Sequence, residues 1–515
     1  MKKLQEKLID FRNKLYSLFP KRKDAIFELL DANSASDKSV NSVVQLSLSP
    51  FFTRQYPSIT DAISDGLKDA PWDDIQTLLW QSTHATDNVD CHRFIIDSTP
   101  QDRLHAKTLS DRSIVHKANP APGNKPICAG HEYSTVVYLP QGDSEERKRW
   151  VVPLSTQRVP SEEKGHDVGI HQLSTMLQKL GLEGSFTLSI ADSAYTTETC
   201  RQQLSELNEH VHIARLRNNR KVFALLQNQL NKKGRKKIYG KKMMLNNPAS
   251  FLPHDEDIII PHTSKKGSKL SLVIKSWNTV VFRGSRHFKS HEHPFRIVQI
   301  IVLNEHQKPV FKKPLWLAIF GDKRLVLSAH ECFTHYCDRY DIEHYFRFGK
   351  QRLRMDSFQT CDTEHEENWW KLCALSYNQL YLSKELCQAT PESWERYLPE
   401  FKTQESLKTV SAPFTQRGFP TLLRTIGTPA KRPTQRGNPL GRKLGERPDK
   451  RVEKPVNFKQ AVTNPAQQPF FSTLGKEATE LKPKNKHDVI DALHVMLKEI
   501  SMSMESFCQF AISTA

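Results

Sequence analysis

A short stretch of the sequence, HYCDRYDIEHYFRFGK, carries an acid, an aromatic hydroxyl and several cations at regular spacing. Tyr336, Arg339, Glu343 and Lys350 stand 0, 3, 7 and 14 residues along it, and Arg347 falls close to the same line. At about 100° per residue, one α-helix places the first four side chains within roughly a 60° arc. A carboxylate among cations suits phosphate chemistry better than a dry core. The stretch therefore predicts one wall of a site for nucleic-acid chemistry.

Two upstream aspartates each follow a short apolar run, which predicts an acid at the end of a buried strand. Asp97 lies in FIIDSTP and Asp192 lies in LSIADSAY. Taken alone, such an aspartate is often only a cap, and Glu343 four residues after Arg339 is often only an ion pair. The joint arrangement favours catalysis, because three carboxylates from separate segments suit divalent cations.

Cutting and joining DNA requires in-line attack of a hydroxyl on a phosphodiester. Two divalent cations about 4 Å apart can stabilise the attacking and departing oxygens, and Mg²⁺ prefers oxygen ligands. We therefore predict that Asp97, Asp192 and Glu343 are the catalytic residues and hold two Mg²⁺ ions, for which Mn²⁺ can substitute. The nucleophile is then a water molecule or a 3′-hydroxyl, and no protein nucleophile is needed.

The Tyr, Arg, Glu, Lys spacing and the two upstream aspartates resemble the signature of the insertion sequence four group of DDE transposases. The resemblance covers roughly residues 91–390. It implies an α/β fold in which an RNase H-like mixed sheet is flanked by helices and interrupted by a β-rich insertion. In one departure, many members carry glycine two residues after the second acid, where this chain has Ala194.

Phosphate contacts are expected from the cations of the signature and from a second basic segment. Arg339, Arg347 and Lys350 are candidates to bind DNA phosphates, and Tyr336 to donate to a phosphate or stack on a base. Residues 232–242 contain seven cations and no acid, which favours contact with the DNA backbone over a solvated loop. The candidates in this run are Lys232, Lys233, Arg235, Lys236 and Lys237.

Apolar periodicity predicts six consecutive regions. The first is helical and could bind DNA ends or serve only for packing or dimerisation, and the second and fourth form the two parts of the RNase H-like core. The predicted regions are a helical N-terminal region (1–88), the first core part (89–218), a β-rich basic insertion (219–322), the second core part (323–400), a disordered basic linker (401–485) and a C-terminal helix (486–515).

Length and charge limit the function. The chain has 515 residues and a formal net charge of +18, so a polyanionic partner is expected, nucleic acid before membrane. It has no apolar run of 18 residues, which predicts no membrane span. Its nine cysteines are scattered and lack CxxC pairs, which fits reduced thiols in a cytosol.

These observations predict a bacterial-type insertion-sequence transposase. It would bind double-stranded DNA at the terminal inverted repeats and at the target, acting as a homodimer on DNA, in the cytoplasm and associated with the nucleoid. Two alternatives remain open: a DNA-binding remnant without turnover, and another RNase H-like nuclease. The intact acids argue against the first, and the Tyr, Arg, Glu, Lys stretch argues against the second.

Overall fold

The fold is known from a computed structural model. It describes residues 2–37, 39–83, 89–116, 127–142, 149–226, 238–263, 267–387, 410–434, 445, 447 and 451–458. Two predictions lie outside these residues: the C-terminal helix at 486–515, and the basic candidates Lys232, Lys233, Arg235, Lys236 and Lys237.

Ten α-helices are numbered along the described part of the chain. They are α1 (Lys2–Leu18), α2 (Lys23–Ser34), α3 (Pro57–Asp61), α4 (Trp72–Thr83), α5 (Gly165–Lys179), α6 (Glu198–Leu204), α7 (Ala329–Cys337), α8 (Tyr340–Arg352), α9 (Thr363–Ser383) and α10 (Ala412–Ile426). A π-helix, Ala62–Gly66, continues α3, and three short 3₁₀ segments span Val44–Leu48, Ser193–Thr196 and Pro248–Ser250.

Twelve strands form one sheet in the described part of the chain. They are β1 (His92–Asp102), β2 (Ser113–His116), β3 (Ile127–Leu139), β4 (Val152–Val159), β5 (Thr187–Ala191), β6 (His210–Leu216), β7 (Lys221–Leu225), β8 (Tyr239–Met244), β9 (Glu256–Thr263), β10 (Lys269–Val281), β11 (Phe295–Asn304) and β12 (Leu315–Phe320).

The centre of the sheet has the predicted RNase H-like order. Strand β3 pairs antiparallel with both β4 and β1, and β5 pairs parallel with β1 and with β6. Helix α5 contacts β1 and β3, whereas α7 contacts β5 and β6 and α8 contacts β1. All five residues of β5 are buried, as expected for a parallel strand with helices on both faces. The predicted mixed sheet flanked by helices is confirmed.

The insertion does not form a separate sheet. It contains the strands β7 to β12, in keeping with the expected β-rich insertion. Strand β12 pairs antiparallel with β6, so the insertion continues the central sheet through β12, β11, β10, β7 and β8. A second hydrophobic cluster lies there and includes Trp277 and Trp316, which are both buried. These two tryptophans are core residues.

The N-terminal helices pack on the same hydrophobic core as the central sheet. Leu8, Phe11 and Leu15 of the predicted amphipathic stripe are buried. Asn33 of α2 donates from Nδ2 to Ser376 Oγ of α9 at 3.1 Å. This region therefore has a packing function; a role in binding DNA ends stays a prediction.

Part of the predicted linker is folded. Helix α10 lies within 401–485, and it contacts α9 and buries Phe419 and Leu423. The expectation of disorder is wrong for these residues, because four hydrophobic side chains recur at helical spacing in APFTQRGFPTLLRTI despite its Pro and Gly content. Among the described helices, none is both long enough and apolar enough to cross a membrane.

Candidate active site

The two aspartates stand at matching positions of adjacent parallel strands. Ile95 of β1 pairs with Ile190 of β5, so the same register, continued by two residues, sets Asp97 beside Asp192. Residues two apart on a strand point to the same face. Both carboxylates therefore reach the face covered by α7 and α8, which we call the acid face. Strand pairing brings together two acids that are 95 residues apart in sequence.

The turn after β5 forms without the glycine that the resemblance leads one to expect. Asp192 caps the following 3₁₀ segment, and its Oδ1 accepts a hydrogen bond from the Ala194 backbone N–H at 2.7 Å. This bond satisfies the Ala194 backbone N–H, which has no acceptor within the first turn of the 3₁₀ segment. The other carboxylate oxygen of Asp192 is left for the site.

The signature stretch forms two helices and not one. Helix α7 ends at Cys337 and α8 begins at Tyr340. Between them the backbone bonds span three residues, from Arg339 N to Tyr336 O at 3.1 Å and from Asp341 N to Asp338 O at 3.0 Å. Three-residue bonds turn the chain more tightly than 100° per residue. The prediction that the four signature residues share one straight helical stripe is therefore wrong.

An ion pair ties this junction to the sheet. Arg93 Nη1 of β1 lies 3.2 Å from Asp338 Oδ2, and both side chains are largely buried. Residues 93 and 97 are four apart on β1 and share a face. The junction is thereby fixed next to Asp97, and Arg339 and α8 follow directly from it.

Arg339 lies between two of the acids. Its Nη1 is 3.3 Å from Asp97 Oδ2 and its Nη2 is 2.8 Å from Glu343 Oε1. The resemblance implied that Arg339 holds a phosphate, but in this structure its partners are carboxylates. The guanidinium therefore supplies positive charge between Asp97 and Glu343.

The three carboxylates are not drawn into one tight cluster. Within the described residues, the single set of three His, Cys, Asp or Glu side chains whose ligand atoms all lie within 4.8 Å of one another is His166, Asp167 and Cys200. Like charges repel, and Glu343 stands on the far side of the Arg339 guanidinium. Its side chain is 42% exposed, against 19% for Asp97.

The burial of Asp97 disfavours its ionised form. Burial, together with the nearby Asp192 and Glu343, raises the pKa of Asp97 to about 7, although Arg339 acts in the opposite direction. Cations bound next to Asp97 would favour its ionised form.

These residues fit divalent cations. All three acids offer hard oxygen ligands, the type that Mg²⁺ and Mn²⁺ prefer, and the guanidinium of Arg339 already occupies a cation's position between Asp97 and Glu343. Asp97 neighbours both of the other acids, so it is the residue placed to be shared by two ions.

Lys350 has partners other than the predicted phosphate. Its Nζ donates to Thr99 Oγ1 at 2.9 Å and to the Pro100 carbonyl at 2.7 Å. Burial lowers the pKa of Lys350, against the opposing effect of Asp356 and Asp102. The ammonium fixes α8 to β1 just beyond Asp97, so the structure favours a positioning role over direct DNA contact.

Tyr336 and Arg347, the other two predicted DNA contacts on these helices, differ in how exposed their side chains are. Tyr336 is 6% exposed and belongs to the main hydrophobic core, which leaves little of it for a base or a phosphate. Arg347 is exposed on α8. Of the predicted DNA contacts in the described residues, Arg347 is the one with an open side chain.

Sequence reasoning missed a group of arginines on the next strand. Arg215 and Arg217 are exposed at the end of β6, and Arg217 Nε donates to Ser193 Oγ at 3.3 Å, next to Asp192. A signal was present, because ARLRNNR places arginines at alternate positions directly after a buried strand.

Two family models match the chain. Residues 14–260 match the family described as DDE superfamily endonuclease, and residues 157–379 match the transposase DDE domain. No curated protein matches. These families indicate a metal-dependent enzyme that cleaves DNA. Together with the fold, they support a DDE transposase.

Proposed function

We propose that the protein is the transposase of an insertion sequence of the insertion sequence four group. It binds the terminal inverted repeats of its element, cleaves the DNA strands there in a Mg²⁺-dependent reaction, and joins the freed ends to target DNA by a cut-and-paste route. Residues 89–218 and 323–400 form its catalytic core around the insertion at 219–322. It acts as a homodimer on DNA, in the cytoplasm and at the nucleoid.

The observation that carries this proposal is the row of acids. Asp97 and Asp192 hold the same register on adjacent parallel strands, and Arg339 joins Asp97 to Glu343. Two of the acids rest on backbone hydrogen bonds of the sheet, so their separation is set before any substrate arrives.

The residues of the site divide the reaction between them. Divalent cations held by Asp97, Asp192 and Glu343 would supply the charge that stabilises the attacking and leaving oxygens. Through these cations, the acids would position the reacting phosphodiester at the edge of the sheet. Arg339 would bind a phosphate oxygen once cations replace its guanidinium as the partners of the acids. A guanidinium fork suits both carboxylates and phosphates. Arg347 binds the backbone further along the DNA.

A cleavage assay tests the proposal. The substrate is a 5′-labelled duplex that carries the inverted repeat bordering the gene and its flanking DNA, incubated with Mg²⁺, Mn²⁺, Ca²⁺ or EDTA. We expect strand cleavage at the repeat end with Mg²⁺ and Mn²⁺, and none with EDTA. Asp97→Asn, Asp192→Asn and Glu343→Gln should each abolish it.

Asp90→Asn is the matched control, because Asp90 is an exposed carboxylate just before the same strand that carries Asp97. It should cleave like the wild type. Repeat binding without cleavage under every condition would instead support a DNA-binding remnant. Cleavage of branched DNA or RNA hybrids without preference for the repeat would support another RNase H-like nuclease.

A further inference from the structure

On strand β6, next to the two strand acids, the equivalent position is occupied by an arginine. Ile95, Ile190 and Ile213 are paired across β1, β5 and β6. Two residues further on, the same register gives Asp97, Asp192 and Arg215. Neighbouring strands lie about 4.8 Å apart, so the three side chains succeed one another across the acid face.

The helix contacts agree with this placement of Arg215. Tyr336 lies on α7, which covers the acid face. Helix α7 contacts β6, and α7 leads directly to Arg339. Arg215 thus faces the same space as the acids and Arg339.

The arginines at this end of β6 have no acid of their own among the described residues. Arg215, Arg217 and Arg220 are all exposed, and none of the ion pairs found in the described part of the chain includes them. Uncompensated cations of this kind fit an anionic partner.

Structural arginines elsewhere in the protein look different. Arg103 is 3% exposed, pairs with Glu366, and donates from Nη2 to the Phe358 carbonyl at 2.6 Å. Arg296 is likewise buried and lies 3.0 Å from Glu256. Arg215 shows neither burial nor such pairing, so packing does not explain it.

We propose that Arg215 and Arg217 bind backbone phosphates of the DNA strand being cut, directly beside the acids and on the opposite side of the site from Arg347. This rests on the proposed function, since it assigns the substrate contact of the same site. Arg215 holds the phosphate next to the reacting one, because it occupies the strand next to Asp192. Arg217, fixed by Ser193, holds the DNA at the edge of the sheet.

The test measures binding and cleavage separately. Binding is measured in Ca²⁺ over a range of salt concentrations, with the repeat duplex and with an unrelated duplex of equal length. We expect Arg215→Ala to weaken both complexes about tenfold and to reduce the salt slope by about one, because phosphate contacts carry no sequence information. Arg215→Lys should keep most of the slope but lose part of the affinity, since it keeps the charge without the fork.

Lys323→Ala is the control. Lys323 is an exposed cation paired with Glu209 at 3.1 Å, and Glu209 precedes the amino end of the same strand β6. It should leave affinity and slope unchanged. Unchanged thermal stability of Arg215→Ala is also expected, because the side chain is exposed.

Two results would overturn the proposal. One is wild-type affinity and salt slope in Arg215→Ala. The other is a loss of binding that follows a matching loss of thermal stability, which would make Arg215 structural. If the wild type cleaves the repeat and Arg215→Ala behaves identically, this proposal alone fails. If the wild type does not cleave, the proposed function fails, and the salt slopes still report on Arg215.

Discussion

The two walls of the candidate site are built differently. Asp97 lies on β1 and Asp192 directly follows β5, and the backbone hydrogen bonds of the sheet fix the positions of both strands. Glu343 sits on α8 after a tightened junction, is 42% exposed, and is held by Arg339 at 2.8 Å. The two strand acids are positioned by the backbone, whereas the Glu343 carboxylate is held by a side-chain contact that a cation could replace. We therefore expect the strand wall to be rigid and the Glu343 side chain on the helix wall to adjust to its ligands.

The largest effect is expected on the rigid wall. Asp97→Ala should lower repeat cleavage by about 1000-fold or more, because it removes the carboxylate shared by both cation positions. Repeat binding in Ca²⁺ should stay close to that of the wild type. The comparison is single-turnover cleavage against filter binding of the same duplex. Equal loss of both would mean that Asp97 is structural.

Changing the length of an acidic side chain by one methylene group should affect cleavage differently on the two walls of the site. Asp97→Glu pushes a carboxylate outward from a fixed strand and should be nearly inactive. Glu343→Asp shortens an acid on the adjustable wall and should retain more, with a loss of about 10- to 100-fold, since a misplacement of about 1 Å costs up to about 100-fold. Cleavage rates at saturating Mg²⁺ provide the measurement. The reverse order of activities would contradict the assignment of the rigid and adjustable walls.

Substitutions of two basic residues on α8, Lys350 and Arg347, should affect different properties: the first stability and the second DNA binding. Lys350→Met removes the bonds to Thr99 and Pro100 and should lower the free energy of unfolding by about 1–3 kcal/mol, because it leaves two part-buried acceptors without this donor. Arg347→Met, its matched partner, should leave stability within about 0.5 kcal/mol and reduce the salt slope of DNA binding by about one. Thermal melts and salt-dependent binding give both readings. A normal melt for Lys350→Met would return it to the candidates for DNA contact.

The smallest expected effect is a pH dependence of stability. The pKa of Asp97 is raised from 3.8 to about 7, so the folded protein loses stability relative to the unfolded chain as pH rises from about 4 to 7. Asp97→Asn lacks this loss. In EDTA its stability relative to the wild type should therefore increase by about 1–3 kcal/mol between pH 5 and pH 8. A constant difference across that range would show that Asp97 titrates normally.

Local patterns predicted the central strands and their acids. FIIDSTP and LSIADSAY carry enough apolar and β-branched residues to mark β1 and β5, and the resemblance implied that both belong to an RNase H-like sheet. The strands of the insertion were visible for the same reason. What the pattern could not show was their partner, because the pairing of β12 with β6 depends on contacts far apart in sequence.

The sequence predictions failed where the position of a side chain depends on more than one helix or strand. A tightened junction between α7 and α8 carries no glycine or proline, so the spacing of Tyr336, Arg339 and Glu343 read as one helix. Lys350 turned inward because β1 offers acceptors at Thr99 and Pro100, which helical spacing alone does not reveal. Arg215 was missed because its place beside Asp192 follows from strand register.

Direct counting of bound cations tests the central claim, that the three acids form a divalent-cation site. Mn²⁺ is titrated into the complex with an uncleavable phosphorothioate repeat duplex, and free Mn²⁺ is followed by electron paramagnetic resonance. We expect two tightly bound ions per protomer in the wild type and in Asp90→Asn, and a loss of tight binding in Asp97→Asn. Equal numbers and affinities of bound Mn²⁺ in the wild type and in Asp97→Asn would contradict the account.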